Sequence, residues 1–112
     1  MLNLLRFREV ADYSKHPDLA PSSPISGEEA YARYAAHAQP FLEEVGSEVL
    51  FRGKGGPYLI GPADGRWDLV LLVRHPSAQD FLSFASNKKY LAGIGHRTAA
   101  LADSRLLPIS QP

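Results

Sequence analysis

Asp68-Leu69-Val70-Leu71-Leu72-Val73 is the stretch that most restricts how this chain can fold. It has strand length and is rich in branched residues. It does not alternate apolar with polar, so a strand here is buried on both faces. A chain of 112 residues can lay helices over one face of such a sheet. The other face then needs a second cover, and another copy of the chain is the economical one. Leu2 to Val10 reads as a companion strand, with Leu2, Leu4, Arg6 and Arg8 on one side and Asn3, Leu5, Phe7 and Glu9 on the other. Both faces are apolar at its start and turn polar towards its end, as suits a central strand whose last residues reach a pocket rim or solvent.

Between these strands lie a loop, a helix and a second strand. Ala11 to Ile25 carries Pro17, Pro21 and Pro24 and no periodicity, which predicts a mobile loop or lid with His16 in solvent. Ser26-Gly27-Glu28-Glu29 has capping-box spacing and starts a helix. Its apolar stripe runs through Ala30, Tyr31, Tyr34, Ala35, Ala38, Phe41, Leu42 and Val45. Pro40 should kink or split it, and Gly46 should stop it. Glu48 to Arg52 alternates as an edge strand does, before a glycine-rich turn over 53–57. That turn is no phosphate loop, because no Gly-Lys-Ser/Thr follows and no helix begins there.

After the central strand, His75-Pro76-Ser77 marks a corner with Ser77 as N-cap and Asp80 in the first turn. Ala78, Phe81, Leu82 and Ala85 form a short stripe, and Ser86-Asn87 breaks it and caps a second helix. Tyr90, Leu91, Ile94, Thr98 and Leu101 carry the stripe on, Asp103-Ser104 closes it, and Arg105 to Ile109 makes a last strand. The order βαββαβ describes an α+β, ferredoxin-like fold over one domain, 1–112. It has a four-stranded antiparallel sheet with the helices on one face, and the first and third strands are central.

Composition narrows the function classes. Twelve basic residues balance twelve acidic ones, with no basic stripe, which argues against nucleic acid or an anionic membrane as partner. Cys is absent, which removes disulfides, thiolate metal sites and Cys nucleophiles, and fits a reducing compartment. Arg6 and Arg8 interrupt the only signal-like start, and no apolar run approaches membrane-spanning length. A cytoplasmic location is the expectation.

Several stretches carry a family resemblance: Met1-Leu2-Asn3-Leu4-Leu5, the Tyr-bearing early helix with its late Pro, Arg52-Gly53, the Pro-Ser corner, the Tyr90 region and Arg97-Thr98-Ala99-Ala100. In this order they resemble DUF1330, a family of small uncharacterised bacterial proteins. The Pro-rich loop and the Tyr58 to Gly65 insertion depart from the family's pattern. The resemblance implies a dimeric α/β barrel, in which two ferredoxin-like sheets pack face to face. That superfamily includes cofactor-independent monooxygenases, lactone isomerases and haem-degrading proteins, and the family itself implies no settled reaction.

Candidate chemistry is sparse. His37 falls at the edge of the apolar stripe beside Tyr34 and Phe41, where an imidazole can serve as acid or base in a helix–sheet cavity or simply lie half-buried. Arg97 falls at the edge of the later stripe, with His96 on the solvent side. It can fork onto a ligand carboxylate or pair with Asp103. Arg6 and Arg52 need an anion, either a ligand or an internal carboxylate. Asn3 is a polar group in a core strand, fit for a cavity floor, and Tyr34 and Tyr90 would be apolar walls. No His or carboxylate pair has metal-ligand spacing, and no cofactor is expected. The expectation is a homodimeric, cofactor-independent small-molecule enzyme of isomerase, decarboxylase or monooxygenase type, with His37 catalytic and Arg97, Asn3, Tyr34 and Tyr90 holding the ligand. The alternatives are a metabolite-binding module and a structural dimer without a pocket.

Overall fold

The Asp68–Val73 run lies at the middle of the molecule. A computed structural model describes residues 1–111. The run is the core of strand β3 (Arg66–Arg74), which pairs antiparallel with β1 (Leu2–Phe7) and with β2 (Glu48–Pro57). β4 (Leu101–Leu107) pairs antiparallel with the far side of β1, giving the order β2-β3-β1-β4. Helices α1 (Gly27–Glu44), α2 (Ala78–Ala85), α3 (Lys88–Leu91) and α4 (Ile94–Ala100) complete the ferredoxin-like α+β arrangement. Leu5 and Leu69 join Tyr31, Tyr34, Phe84, Tyr90 and Ala99 in the core between sheet and helices. The short dimension of 18 Å is that of one helix layer on one sheet.

Alternation sends opposite residues to opposite faces. Leu106, Asn3, Leu71 and Arg52 are cross-strand neighbours in one row towards the helices. Leu107, Leu2, Leu72 and Phe51 form the adjacent row on the open face. There Leu2 and Leu72 are half-buried, while Phe51 and Leu107 at the two edges are 58% and 54% exposed.

Local chemistry sets the helix ends. Ser26 Oγ accepts from Glu29 N at 3.0 Å, although the Glu29 carboxylate pairs with Arg33 rather than reaching back. Ser77 Oγ accepts from Asp80 N, and Asn87 Oδ1 accepts from Lys89 N and Tyr90 N. Gly46 ends α1 with φ +75°. Gly27 has a packing reason. It lies against the backbone of Arg8 and Ala100, donates to the Arg8 carbonyl at 3.0 Å, and leaves no room there for a Cβ.

Several expectations are corrected. α1 runs unbroken through Pro40, because Ala36 and Pro40 are both exposed and the carbonyl freed by proline faces water. β2 extends through the glycines to Pro57, so the turn comes later. β1 stops at Phe7, where the Asp68 carboxylate takes the Phe7 N–H in place of a ladder bond. β4 begins at Leu101, not Arg105, and its register shifts beside Arg6/Phe7. Asp103 thereby lies opposite Arg6 on the neighbouring strand, while its carboxylate is bonded to Arg105.

The 11–25 segment is a pinned strap rather than a mobile lid. Tyr13 is buried, and Ala11, Leu19 and Ile25 pack on the core. Ala11 N donates to Ile25 O, and Asp12 N donates to Ala99 O, both at 2.9 Å. A 3-10 turn at Pro17–Leu19 folds the middle. His16 is half-buried against Gly95, not in solvent. The prolines hid these anchors because a strap docks by isolated side chains, which have no period to read.

Candidate functional site

The helix-facing row Asn3–Leu71–Arg52 forms part of the floor of a cavity of about 490 Å³. That is a size suited to a small organic molecule. Leu69, Leu71 and Val73 bring one face of β3 to it, and α1 supplies Tyr31, Tyr34, Ala38 and Leu42 at helical spacing. α2 adds Phe81 and Phe84, α3 adds Tyr90, and α4 adds Ile94 and Arg97. Most of the lining is apolar, so its few polar groups define what it can hold.

Tyr34 Oη and Tyr90 Oη are hydrogen-bonded at 2.7 Å. Burial, then the bond to Tyr90, pushes the Tyr34 phenol far above its ordinary pKa. Burial also raises Tyr31, against the nearby Arg97 and Arg52 guanidinium charges. These phenols therefore stay neutral and act as walls. Among the described residues, Arg52 and Arg97 form no ion pair. Two guanidinium groups at one apolar pocket constitute a carboxylate-binding pattern.

His37 does not reach this pocket. Its Nε2 lies 3.0 Å from both the Lys89 and Tyr90 carbonyl oxygens, so the N–H is shared between two acceptors. The ring packs on Phe41 and against Gly93. It ties α1 to α3 from outside the cavity lining, and the catalytic role expected of it has no geometric basis. Arg97, Asn3, Tyr34 and Tyr90 do converge on the cavity.

The imidazole that lines it is His75. Its Nδ1 is bonded to the buried Ser47 Oγ at 2.7 Å, and its ring stands edge-on to Phe81 at 5.0 Å. Burial lowers its pKa, favouring the neutral base. The sequence carried the signal: 69, 71, 73 and 75 alternate onto one face. Pro76 masks it, because the residue before a proline also reads as the end of a strand.

His96 is half-buried, a second correction to the expected solvent position. Its Nδ1 and the Tyr13 hydroxyl are hydrogen-bonded at 2.8 Å, fastening the strap to α4. Burial lowers its pKa first, with Arg33 and His37 adding to the effect. For both His75 and His96 the folded state disfavours the proton, so their contribution is complete above the ordinary imidazole value of about 6.5 and is lost as pH falls through it. Asp12 and Asp103 are lowered chiefly by the Ser14 amide and by Arg105 respectively, so their contribution is lost only in the acidic carboxylate range. Melting temperature is expected to fall in two stages, first below about pH 6.5 and again in the acidic carboxylate range below about pH 4. In a pH series by circular dichroism, the first stage should shrink in His96→Gln.

The family described as a domain of unknown function, DUF1330, matches residues 22–109. The chain belongs to the DUF1330 family. The crystal structure of a protein of unknown function from Rhodopseudomonas palustris, a structural genomics target, is 34% identical with a TM-score of 0.83 over 98% of this chain and 81% of that one. The methylated form of that protein gives 35% identity and a TM-score of 0.83, over 97% and 78%. No curated protein matches. Among the described residues no helix is long and apolar enough to cross a membrane. The DUF1330 match begins at Ser22, so Asn3 and most of the strap lie outside it, while the structural match takes in nearly the whole chain.

Proposed function

We propose that this DUF1330 protein is a homodimeric, cofactor-independent protein whose helix–sheet pocket takes a small carboxylate with an apolar, ring-sized body. The observation that carries the reading is the convergence of Arg52, Arg97, Asn3 and His75 on one otherwise apolar cavity. Arg97 and Arg52 hold the carboxylate, Asn3 bonds a neighbouring polar atom, and the Tyr34–Tyr90 pair walls the ring. His75 is the acid/base. Arg52 pairs with Leu71, four residues before His75 on the same chain, so the two polar ends are separated by roughly 13 Å of backbone. The side chains shorten that gap. In this reading the imidazole abstracts a proton next to a carbonyl of the ligand and returns it elsewhere, which is the chemistry of isomerases.

Phenylpyruvate has this shape and serves as the probe. In titration calorimetry it should bind the wild type, and Arg97→Ala should bind it about 10–100-fold more weakly with an unchanged circular dichroism spectrum. Equal binding by the two proteins would remove the carboxylate anchor. A metabolite-binding module is the second reading. It is favoured by the mutual satisfaction of the two phenols, which leaves His75 as the one group in the lining suited to move a proton near neutral pH.

Assembly belongs to the same proposal. The row Leu107–Leu2–Leu72–Phe51 gives the open face an apolar stripe across all four strands. Face-to-face packing of two such sheets about a two-fold axis would bury it. Light scattering at micromolar concentration should return twice the 12.3 kDa chain mass, and a stable monomer would refute this arrangement. A cytoplasmic location accords with the absence of Cys.

A further inference from the structure

A second depression of about 880 Å³ opens beside the inner pocket. Tyr31, Arg52 and Leu69 line both, so the two are chambers on either side of one partition. Their chemistry differs. The outer chamber is built from the end of β1, the start of α1 and the glycine-rich half of β2, and Arg6, Arg8, Arg52 and Lys54 outnumber Glu9 and Glu28 in it. Its other ionic groups, Arg66 and Asp68, neutralise each other in an ion pair at 2.5 Å. Arg6 has Asp103 opposite it on β4, but that carboxylate is already bonded to Arg105. Arg8 and Lys54 are exposed and, among the described residues, form no ion pair. Gly53 and Gly55 also belong to the lining.

We infer that the outer chamber is a second anion site, and that the ligand carries a phosphate-type dianionic head beyond the carboxylate held at the partition. This deepens the reading of the inner pocket and rests on it. A monocarboxylate with one ring is accommodated by the inner chamber alone and leaves Arg8 and Lys54 without a role. A dianion in the outer chamber engages both, with Arg52 bridging the two charges. Lys54 supplies a compact charge and Arg8 a planar fork, a combination suited to phosphate oxygens.

The test compares N-benzoylserine with N-benzoyl-O-phosphoserine, which share ring and carboxylate and differ by the phosphate. By titration calorimetry at low salt, the phosphorylated probe should bind the wild type about tenfold or more tightly. Raising the salt concentration should erode that advantage. In the Arg8→Gln/Lys54→Gln variant the two probes should bind alike, with N-benzoylserine unchanged from the wild type. Equal affinities in the wild type, or an advantage that survives the double variant, would overturn the inference. Phenylpyruvate binding is measured alongside. If it binds while the phosphate confers nothing, only the second site fails; if none of the three probes binds, the inner-pocket reading fails with it.

Discussion

In buffered D2O, phenylpyruvate is expected to exchange its benzylic hydrogens on the wild-type protein faster than in buffer, and His75→Ala should lose that acceleration by about 10²–10⁴-fold, the range a positioned general base supplies. Ser47 orients the base. Its buried hydroxyl holds Nδ1 of His75, and when Nδ1–H donates to Ser47 Oγ the lone pair is on Nε2. Burial keeps the imidazole neutral at pH 7, so the base form is populated. The aromatic rings of Phe81 and Phe84 flank it and fix its plane. His37→Ala should leave the exchange rate intact, because that ring serves the α3 carbonyls instead. Proton NMR follows the exchange directly. An alanine variant at position 75 with the wild-type rate would transfer the protein to the binding-module reading, with the carboxylate anchor untouched.

Gly27→Ala should be the most damaging conservative change in the fold, costing about 3 kcal/mol, the upper range for overpacking. Gly27 is the first residue of α1 and sits where three segments meet. A methyl there would penetrate the van der Waals shell of the Arg8 carbonyl oxygen and lie 2.6 Å from the Ala100 carbonyl oxygen. Both obstacles are backbone and cannot swing aside. Relief requires withdrawing the start of α1, which breaks the bond from Gly27 N to Arg8 O and disturbs the bond from Arg8 N to Ala100 O. Urea denaturation should show a lower midpoint with an unchanged slope. A change smaller than about 1 kcal/mol would mean that the junction is loose.

Element order, the central pair of strands and the three side-chain caps were legible in the sequence because each rests on local chemistry. Ser26, Ser77 and Asn87 each serve amides two or three residues away. The two-sided apolar character of β1 and β3 is a property of consecutive residues. What escaped depends on partners distant in sequence. Asp103 looks like a helix terminator until β4 is laid beside β1 and it meets Arg6. Gly93 and Gly95 look like weak points in a helix until His37 and His16 are seen packed on them. The pocket itself was half readable. Arg97, Asn3, Tyr34 and Tyr90 follow from stripe and strand position, whereas the choice of imidazole turned on ring direction. On α1, the side chain at 37 lies beside the stripe and reaches α3; on β3, the side chain at 75 continues the buried face.

The paired phenols of Tyr34 and Tyr90 also constrain how this family can vary. Each hydroxyl is the other's partner in a buried place, so removing one strands the other at a cost of about 1–3 kcal/mol, while removing both is nearly neutral. Positions 34 and 90 should therefore change together among relatives, either both hydroxylated or both plain aromatic. A lineage that crosses between these states must pass through a weakened intermediate or change the two helices at once. The pocket wall is thus inherited as a single two-residue character, although its halves are separated by half the chain.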